Sequence, residues 1–281
     1  MTPSSILLTL LRKVFHSSPS LQPIMNKIYQ RNFRYKPKFM GWGMTTAHQL
    51  PWNDKNNWDK FEESCKYVKN NFNFGNNSTG IQKYNVDDLM WRHWIISFCS
   101  RYAKNFVKTD YYNFVECGSG IGISSFFILT EFFNNDNKKH FQFHLYDSWS
   151  SMNQEYQTDD ELCMNIKYPS LKIETIKQNL KTFDNILVYH KGYIPDSFET
   201  KPDHPIDVSF LHIDLNSVKA TKETLEFFYP KLLENSLILF DDYGWDEFFE
   251  TKNLIDSFFH DKPGLIMKLP TGQAVYFHKK S

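Results

Sequence analysis

An acid and three glycines stand close together in the segment VECGSGIGISS, residues 115–125. Glu116 precedes Gly118 by two residues, and Gly120 and Gly122 follow at every second position. Glycine tolerates positive φ and lets a ligand approach the backbone closely. The apolar helical run that follows would offer its N-terminus to an anionic group. The segment therefore predicts a ligand-binding turn, with a tight strand–helix turn that binds nothing as the alternative.

A further acid, Asp147, ends the predicted strand FQFHLYD, residues 141–147. A carboxylate at the end of the second strand suits the two hydroxyls of a ribose. Glu116 could accept hydrogen bonds from a ligand ammonium group. The glycine spacing is one residue shorter than the dinucleotide pattern G-x-G-x-x-G. Together these features predict S-adenosylmethionine (SAM) as the cofactor, a nucleoside that carries an amino acid.

Three more carboxylates end two later strands. Asp214 closes LHID, residues 211–214, and Asp241 and Asp242 close LILFDD, residues 237–242. At neighbouring ends of a parallel sheet they would converge, repel one another and raise one another's pKa. Mg²⁺ binds carboxylate oxygens and leaves positions for water and substrate. The sequence thus predicts a magnesium site, while capping of the next helix is the alternative for one or two of these acids.

The candidate catalytic residues are Asp214, Asp246 and His212. Asp246 precedes the helical run EFFETKNLI, and His212 lies two residues before Asp214 on the same strand. A metal-bound hydroxide, Asp246 or His212 could take the proton from an acceptor. The structural alternatives are a helix cap for Asp246 and a hydrogen-bonded core histidine for His212.

Strands and helices alternate from residue 113 onward, which predicts a parallel sheet covered on both faces. The predicted strands are 113–117, 141–147, 186–190, 207–214 and 236–241, and the predicted helices are 122–133, 174–183, 219–229 and 246–260. Residues 264–270 and 273–280, joined by a Thr-Gly turn, predict a terminal hairpin. The expected fold is α/β: a Rossmann-like, mainly parallel sheet with an antiparallel C-terminal strand.

Residues 1–85 are irregular and are expected to form an extension or lid on a domain of residues 86–281. A helix over 86–107 opens that domain, with one face formed by Met90, Trp94, Phe98 and Tyr102. Three tryptophans of the extension would either stack on an acceptor or fill its contact with the sheet: Trp42, Trp52 and Trp58. A contact between subunits of a homo-oligomer is a further role open to the extension.

Composition limits the partners. Basic and acidic residues balance at 32 each, which argues against a general nucleic-acid binder. Four scattered cysteines without a C-x-x-C pair favour a reducing compartment, and we expect a cytoplasmic protein. The apolar run over residues 6–11 is too short for a membrane span and is interpreted as part of an amphipathic N-terminal helix.

Several motifs, taken together, resemble the macrocin O-methyltransferase (TylF-like) family of SAM-dependent methyltransferases. The resemblance covers most of residues 114–279 and rests on VECGSGIG, LYDSW, HKGYIPDSF, FLHIDLNSVKATKETLEFFYPKLLENSLILFDDYGW and LPTGQAVYF. GWGMTTA, residues 41–47, resembles the stretch upstream of that domain. The resemblance implies a class I methyltransferase sheet and Mg²⁺-dependent transfer to hydroxyls, often on sugars of natural products.

The resemblance also implies roles for individual residues. The methionine end of SAM would be lined by Glu116, Gly118, Ser119 and Gly120. The ribose would be bound by Asp147, the ribose and adenine would be flanked by Ser148 and Trp149, and the adenine side would be covered by Lys191, Gly192 and Tyr193. The Mg²⁺ ion would be held by Asp214, Asp241 and Asp242. The chain departs from the family pattern at Asn216, where a second acid is usual, and at Val218, where a tyrosine is usual. An amide cannot take a proton, so these departures concern the base and the substrate.

We expect a SAM- and Mg²⁺-dependent O-methyltransferase that acts on a sugar, glycoside or other vicinal diol. One alternative is a SAM-binding protein with lost or altered catalysis, which Asn216 favours. Another is a nicotinamide-dependent oxidoreductase on a similar sheet, which the glycine spacing and the acid cluster oppose. Methylation of nucleic acid or protein is disfavoured by the balanced charge.

Overall fold

The computed structural model describes residues 50–54, 57–75, 83–134, 140–153, 155, 157–158, 171–200, 202–245 and 248–280. The expectations for the N-terminal helix, for Trp42, for residues 41–47 and for Asp246 lie outside the described residues. Residues from Pro51 onward belong to one compact unit. The predicted division at residue 85 stays a prediction.

In the described part of the chain, seven strands form one mixed sheet in the order β3-β2-β1-β4-β5-β7-β6. Their bounds are β1 Tyr111–Cys117, β2 His140–Asp147, β3 Leu187–Lys191, β4 Val208–Ile213, β5 Leu232–Phe240, β6 Gly264–Lys268 and β7 Ala274–His278. Strands β1 to β5 pair in parallel, whereas β7 is antiparallel to both β5 and β6. This arrangement confirms the predicted fold class and the terminal hairpin.

Seven α-helices of the described residues accompany the sheet: α1 Asp59–Asn71, α2 Met90–Phe106, α3 Ile123–Phe132, α4 Ile173–Asn179, α5 Asp196–Thr200, α6 Val218–Phe228 and α7 Phe249–Phe258. Helix α3 is apolar nearly all round because it lies beneath other helices as well as on the sheet. Phe127 of α3 contacts Phe61 of α1 at a ring distance of 5.4 Å and stacks on His93 of α2 at 4.6 Å. Residues 59–71 thus pack into the same core as the sheet.

The buried face of α2 differs from the aromatic face that the sequence highlights. The helix buries His93, Ile96, Ser97, Ser100 and Ala103. Phe98, in contrast, is 38% exposed, and Trp94 and Tyr102 are only half-buried. The aromatic face instead contacts Trp58 through Trp94 and Phe277 through Tyr102. Four-residue spacing identified the helix, but not which side of it enters the core.

The central strands are buried on both faces, as a covered parallel sheet requires. Every residue of β4 is buried, and so is all of β1 after Tyr111. Phe114 of β1 packs against aromatic rings of three other elements: Phe132 of α3, Phe141 and Phe143 of β2, and Phe210 of β4. A core of this kind holds the carboxyl ends of the strands at one fixed edge.

None of the helices in the described part of the chain combines the length and the apolar character that a membrane crossing requires.

Candidate functional site

A cavity of about 370 Å³ opens at the carboxyl edge of the sheet. It lies where the strand order reverses between β1 and β4, the usual ligand site of open α/β sheets. Predicted cofactor residues line one part of it: Gly118, Ser119, Gly120, Asp147, Ser148, Gly192 and Tyr193. Arg92, Asp214, Asn216, Asp241, Asp242 and Trp245 line the other part. We call these parts the cofactor end and the acid end.

The glycine turn is shaped by the strand beside it. Gly118 has φ +91°, and a Cβ atom there would lie 1.7 Å from the carbonyl oxygen of Asp214. The amide of Gly118 donates to the Tyr146 carbonyl at 2.8 Å, and that of Asp214 donates to the Cys117 carbonyl at 2.9 Å. The ends of β1, β2 and β4 thus converge so closely that only glycine fits at position 118.

Asp147 fastens the turn to the end of β2. Its carboxylate accepts hydrogen bonds from the amide of Gly120 at 2.8 Å and from the amide of Trp149 at 2.7 Å. The indole of Trp149 donates to the Gly120 carbonyl at 2.9 Å. Burial raises the pKa of Asp147, while the two amide hydrogen bonds oppose that rise. Each oxygen retains a lone pair, so the carboxylate can still accept from ligand hydroxyls.

Gly192 and Tyr193 close the cofactor end from the side of β3. The amide of Gly192 donates to the carbonyl of Asp147 at 3.0 Å. The hydroxyl of Tyr193 lies 2.9 Å from the Ser150 hydroxyl and donates to the Ser151 carbonyl at 2.8 Å. These bonds connect the loops after β2 and β3 into one wall of the cavity.

Three predicted cofactor residues, Glu116, Trp149 and Lys191, are absent from the cavity wall. Glu116 is fully buried, and its carboxylate accepts from His212 Nδ1 at 2.8 Å and from the Ser125 hydroxyl. Glu116 and His212 lie opposite each other in the register of β1 and β4, so their side chains share a face of the sheet. The predicted contact of Glu116 with a ligand ammonium group stays a prediction.

Two of the three predicted metal ligands, Asp214 and Asp241, lie together with an arginine between them. Their carboxylate oxygens and a ring nitrogen of His212 lie within 4.8 Å of one another, and Asp242 lines the same cavity. Nη2 of Arg92 donates to Asp214 Oδ2 at 2.9 Å and to Asp241 Oδ2 at 2.6 Å, and Nε donates to Asp241 Oδ2 at 2.8 Å. Arg92 is in the first turn of α2, which packs against β4 and β5. Sequence reasoning missed Arg92. Its signal was a lone charged residue in the otherwise apolar and aromatic start of that helix, MWRHWIISF.

Burial and mutual repulsion set the protonation of the acid end. Burial and then the neighbouring Asp241 carboxylate raise the pKa of Asp214 to about 7, although Arg92 opposes the rise. Burial together with the charges of Asp214 and Asp241 raises the pKa of Asp242 well above its usual value. For Asp241 burial acts in the same direction, but Arg92 and His212 outweigh it and hold the pKa below the usual range.

His212 lies behind the acid end and not on the cavity wall. Burial disfavours its charged form, but Asp241 and Glu116 outweigh burial and raise its pKa to about 9. Its Nε2 is 3.9 Å from Asp241 Oδ1, too long for a hydrogen bond. Of the three catalytic candidates, Asp214 lines the cavity, His212 lies beneath it, and Asp246 is outside the described residues.

An aromatic residue borders the acid end at the cavity mouth. Trp245 lines the cavity and is 54% exposed. Its indole lies so close to Gly272 that a Cβ there would be 2.9 Å from Nε1. The amide of Gly244 donates to the Gly272 carbonyl at 2.6 Å, which fixes the loop after β5 against the β6–β7 turn. Trp245 therefore presents a supported ring surface next to the carboxylates.

Comparison with known proteins agrees with this geometry. A family described as "Methyltransferase domain" matches residues 115–243. The O-methyltransferase NovP shares the fold at a TM-score of 0.58 and 17% identity, over 68% of this chain and 81% of its own. The calicheamicin methyltransferase CalS11 shares the fold at a TM-score of 0.52 and 14% identity, over 85% of this chain and 99% of its own. No curated protein matches the chain. Residues 115–243 therefore resemble a methyltransferase domain, and the described sheet has the α/β methyltransferase fold.

Proposed function

We propose that this protein is a SAM-dependent O-methyltransferase that methylates a hydroxyl of a small-molecule acceptor, a sugar, glycoside or other vicinal diol. One observation carries the proposal: a single cavity joins the glycine turn and Asp147 to the carboxylates of Asp214, Asp241 and Asp242. The methyltransferase domain match over residues 115–243 supports the reaction class. The resemblance to the TylF-like family supports the choice of a hydroxyl acceptor.

The cofactor end suits SAM in shape and in hydrogen bonding. SAM, when bound, supplies the reactive methyl group. Gly118 and Gly120 allow close approach to the backbone, and the lone pairs left on Asp147 can accept from ribose hydroxyls. The linked loops at Tyr193 and Ser150 would cover the nucleoside and exclude water from one side. The chain thus orients the cofactor toward the acid end of the same cavity.

The donor set of the acid end fits a hard divalent cation. Oδ2 of Asp242 is buried and has no hydrogen-bond partner among the described residues. Arg92 and His212 are the cationic side chains beside four carboxylates, those of Glu116, Asp214, Asp241 and Asp242. Asp214, Asp241 and Asp242 would hold Mg²⁺, which, when bound, lowers the pKa of a coordinated hydroxyl and holds adjacent acceptor oxygens.

The protein's own groups would position the acceptor. Trp245 offers a ring face for the apolar side of a sugar or for an aromatic ring. Asn216 also lines the cavity, but its amide cannot accept the hydroxyl proton. Among the catalytic candidates, Asp214 is the one in the described residues that reaches the cavity. Orientation of the hydroxyl against the methyl group can contribute about 7–11 kcal/mol to catalysis.

The proposal is tested by incubating the protein with SAM labelled in its methyl group and a panel of sugars, glycosides and catechols. Each reaction is run with Mg²⁺ and with EDTA. We expect label transfer to at least one diol, lost in EDTA and restored by added Mg²⁺. Transfer that EDTA leaves unchanged would contradict the metal role. Binding of NADH without binding of SAM would favour the oxidoreductase alternative.

A second candidate, a SAM-binding protein without turnover, is favoured by Asn216 at the cavity wall. Asn216 adopts φ +49°, a left-handed conformation that asparagine tolerates, so the amide is accommodated without unusual strain. This candidate predicts S-adenosylhomocysteine binding without label transfer to any acceptor. Replacing Asn216 by Asp would then test whether an acid at this position restores transfer.

A further inference from the structure

We propose that Arg92 is a resident counter-ion of the acid end and that a divalent cation must displace it to bind Asp214 and Asp241. This inference rests on the metal role in the proposed function and adds a competitor to it. Arg92 and the cation would exclude each other, and Arg92 would set the metal affinity of the site.

Arg92 occupies carboxylate oxygens that a cation would need. Three hydrogen bonds from Nε and Nη2 end on two atoms, Oδ2 of Asp214 and Oδ2 of Asp241. The other oxygen of Asp241, Oδ1, accepts from Nε2 of the buried Gln273 at 2.9 Å. Both oxygens of Asp241 are therefore engaged with donors. Oδ2 of Asp241 accepts two hydrogen bonds and keeps no free lone pair, so a cation that binds Asp241 through Oδ2 must displace the guanidinium, which also occupies Oδ2 of Asp214.

Within the described residues, the hydrogen bonds that hold Arg92 all go to the carboxylates over which it would compete. Its remaining nitrogen, Nη1, is buried without a hydrogen-bond partner in the part of the chain that the structure describes. Arg92 also lines the cavity, so the guanidinium has space to move into. Gln273, in contrast, is only 1% exposed, and its carbonyl accepts from the Thr271 hydroxyl at 2.9 Å. Arg92 is thus the more displaceable of the two donors.

Charge also favours the exchange. Arg92 brings one positive charge to the carboxylates of Asp214 and Asp241, and Oδ2 of Asp242 stays buried without a hydrogen-bond partner among the described residues. A divalent cation brings twice the charge to the same cluster, so the exchange compensates more of the buried negative charge and frees the guanidinium to turn toward the cavity.

The test measures Mn²⁺ binding by electron paramagnetic resonance, in the absence of SAM, for the wild type, Arg92→Met and Arg101→Met. Methionine keeps much of the length of the side chain and removes the competing charge. We expect Arg92→Met to bind Mn²⁺ at least about 10-fold more tightly than wild type, a usual size for changes beside metal ligands. Arg101 lies on the same helix but pairs with Glu131 at 2.5 Å, away from the cavity, so its variant should match wild type.

Removing Arg92 leaves carboxylates without a counter-ion, so thermal unfolding is measured with and without Mn²⁺. The Mn²⁺-induced rise in Tm should be larger for Arg92→Met than for wild type. Should that variant fail to fold, Arg92→Lys serves instead, because lysine keeps the charge but loses the planar fork that reaches two oxygens. The lysine variant should also bind Mn²⁺ more tightly than wild type, by a smaller factor.

Equal or weaker Mn²⁺ binding by the folded variant, or no Mn²⁺ binding by any of these proteins, overturns the competition. Titration of the same proteins with S-adenosylhomocysteine separates this outcome from failure of the proposed function. A wild type that binds Mn²⁺ but not S-adenosylhomocysteine would contradict the methyltransferase proposal, while tighter Mn²⁺ binding by the Arg92 variant would still uphold the competition.

Discussion

The two ends of the cavity are built on opposite principles. At the cofactor end the chain satisfies its own polar groups: Asp147 accepts two backbone amides, and Trp149 donates to the Gly120 carbonyl. At the acid end it leaves charge uncompensated, with Oδ2 of Asp242 and Nη1 of Arg92 both buried and unpartnered in the described residues. A site can therefore combine a preformed cradle with a neighbouring region that needs a ligand to become balanced.

This contrast separates the ways in which each end should fail. The cofactor end depends on backbone shape, so its fold should be most sensitive to added atoms. The acid end depends on charge, so it should respond to isosteric neutral substitutions, to metal and to pH.

The largest effect is expected for Gly118→Ala. A Cβ there would meet the Asp214 carbonyl oxygen at 1.7 Å in a backbone with φ +91°, so the ends of β1 and β4 would have to separate. We expect a loss of about 4 kcal/mol in the free energy of unfolding, or failure to fold. Urea unfolding measures this loss in the free energy of unfolding.

Gly120→Ala is the matched control for that substitution. Its φ is +50°, but a Cβ there would have no neighbour within 4 Å. The expected loss is only roughly 1–2 kcal/mol, from the left-handed conformation alone. Equal losses in the two variants would contradict the view that the cofactor end is fixed by close backbone contact.

The second effect concerns the acid end. Asp241→Asn removes one charge without changing shape, and we expect turnover to fall by about 10²–10³-fold. S-adenosylhomocysteine affinity should change little, because Asp241 lies at the other end of the cavity. Radiolabel transfer and calorimetry measure the two quantities. Asp256→Asn serves as the control. Asp256 lies on α7, bonds to Lys252 of the same helix and to the Tyr243 hydroxyl, and does not line the cavity.

The success of sequence reasoning differs between the two ends in the same way. The glycine turn and Asp147 were recognisable because their neighbours in the chain carry the signal. The convergence of the three acids followed from the rule that parallel strands end at one edge. Arg92 was missed because its partners lie 122 and 149 residues away, and no local pattern specifies such a pair.

Strand registry explains the other differences. Periodicity located Glu116 and His212 on their strands but did not reveal that β1 and β4 place them opposite each other. The two side chains therefore form a hydrogen bond with each other beneath the turn.

Strand β5 begins at Leu232, four residues before the predicted start at 236, because a register shift against β4 lets the strand continue through Asn235 at φ +64°. The departure of Asn216 from the family pattern was visible in the sequence alone.

A moderate effect is expected at the cavity mouth. Trp245→Ala removes the exposed ring beside the acid end, and KM for the acceptor should rise by about 10-fold with a smaller change in kcat. Steady-state kinetics with any acceptor found active would measure both constants. Phe98→Ala is the control, because Phe98 is also exposed and aromatic but does not line the cavity. An unchanged KM for Trp245→Ala would remove Trp245 from the acceptor site.

The smallest effect is a pH dependence of stability in the metal-free protein. The pKa of His212 is raised to about 9 in the folded state, so its contribution is present below about 6.5 and is lost as pH rises toward 9. Urea unfolding in EDTA should show that the free energy of unfolding of the wild type falls between about pH 6.5 and pH 9. The fall should be smaller for His212→Gln.

His144→Gln is the control for the pH series. Burial lowers the pKa of His144 to about 4, so this histidine is neutral in the folded state throughout the series. In the unfolded state it has lost most of its proton by about pH 7.5, so its variant should keep the wild-type fall from there to pH 9. An identical pH profile for His212→Gln and wild type would contradict the electrostatic description of the acid end.

The central claim is that the cofactor end binds SAM. Its most direct test is a calorimetric titration with S-adenosylhomocysteine, with and without Mg²⁺, and with NADH as the comparison. The account predicts roughly micromolar binding of S-adenosylhomocysteine in both conditions, weakened in Asp147→Asn, and no binding of NADH. Absence of S-adenosylhomocysteine binding in both conditions would contradict the account and leave the glycine turn as a structural feature alone.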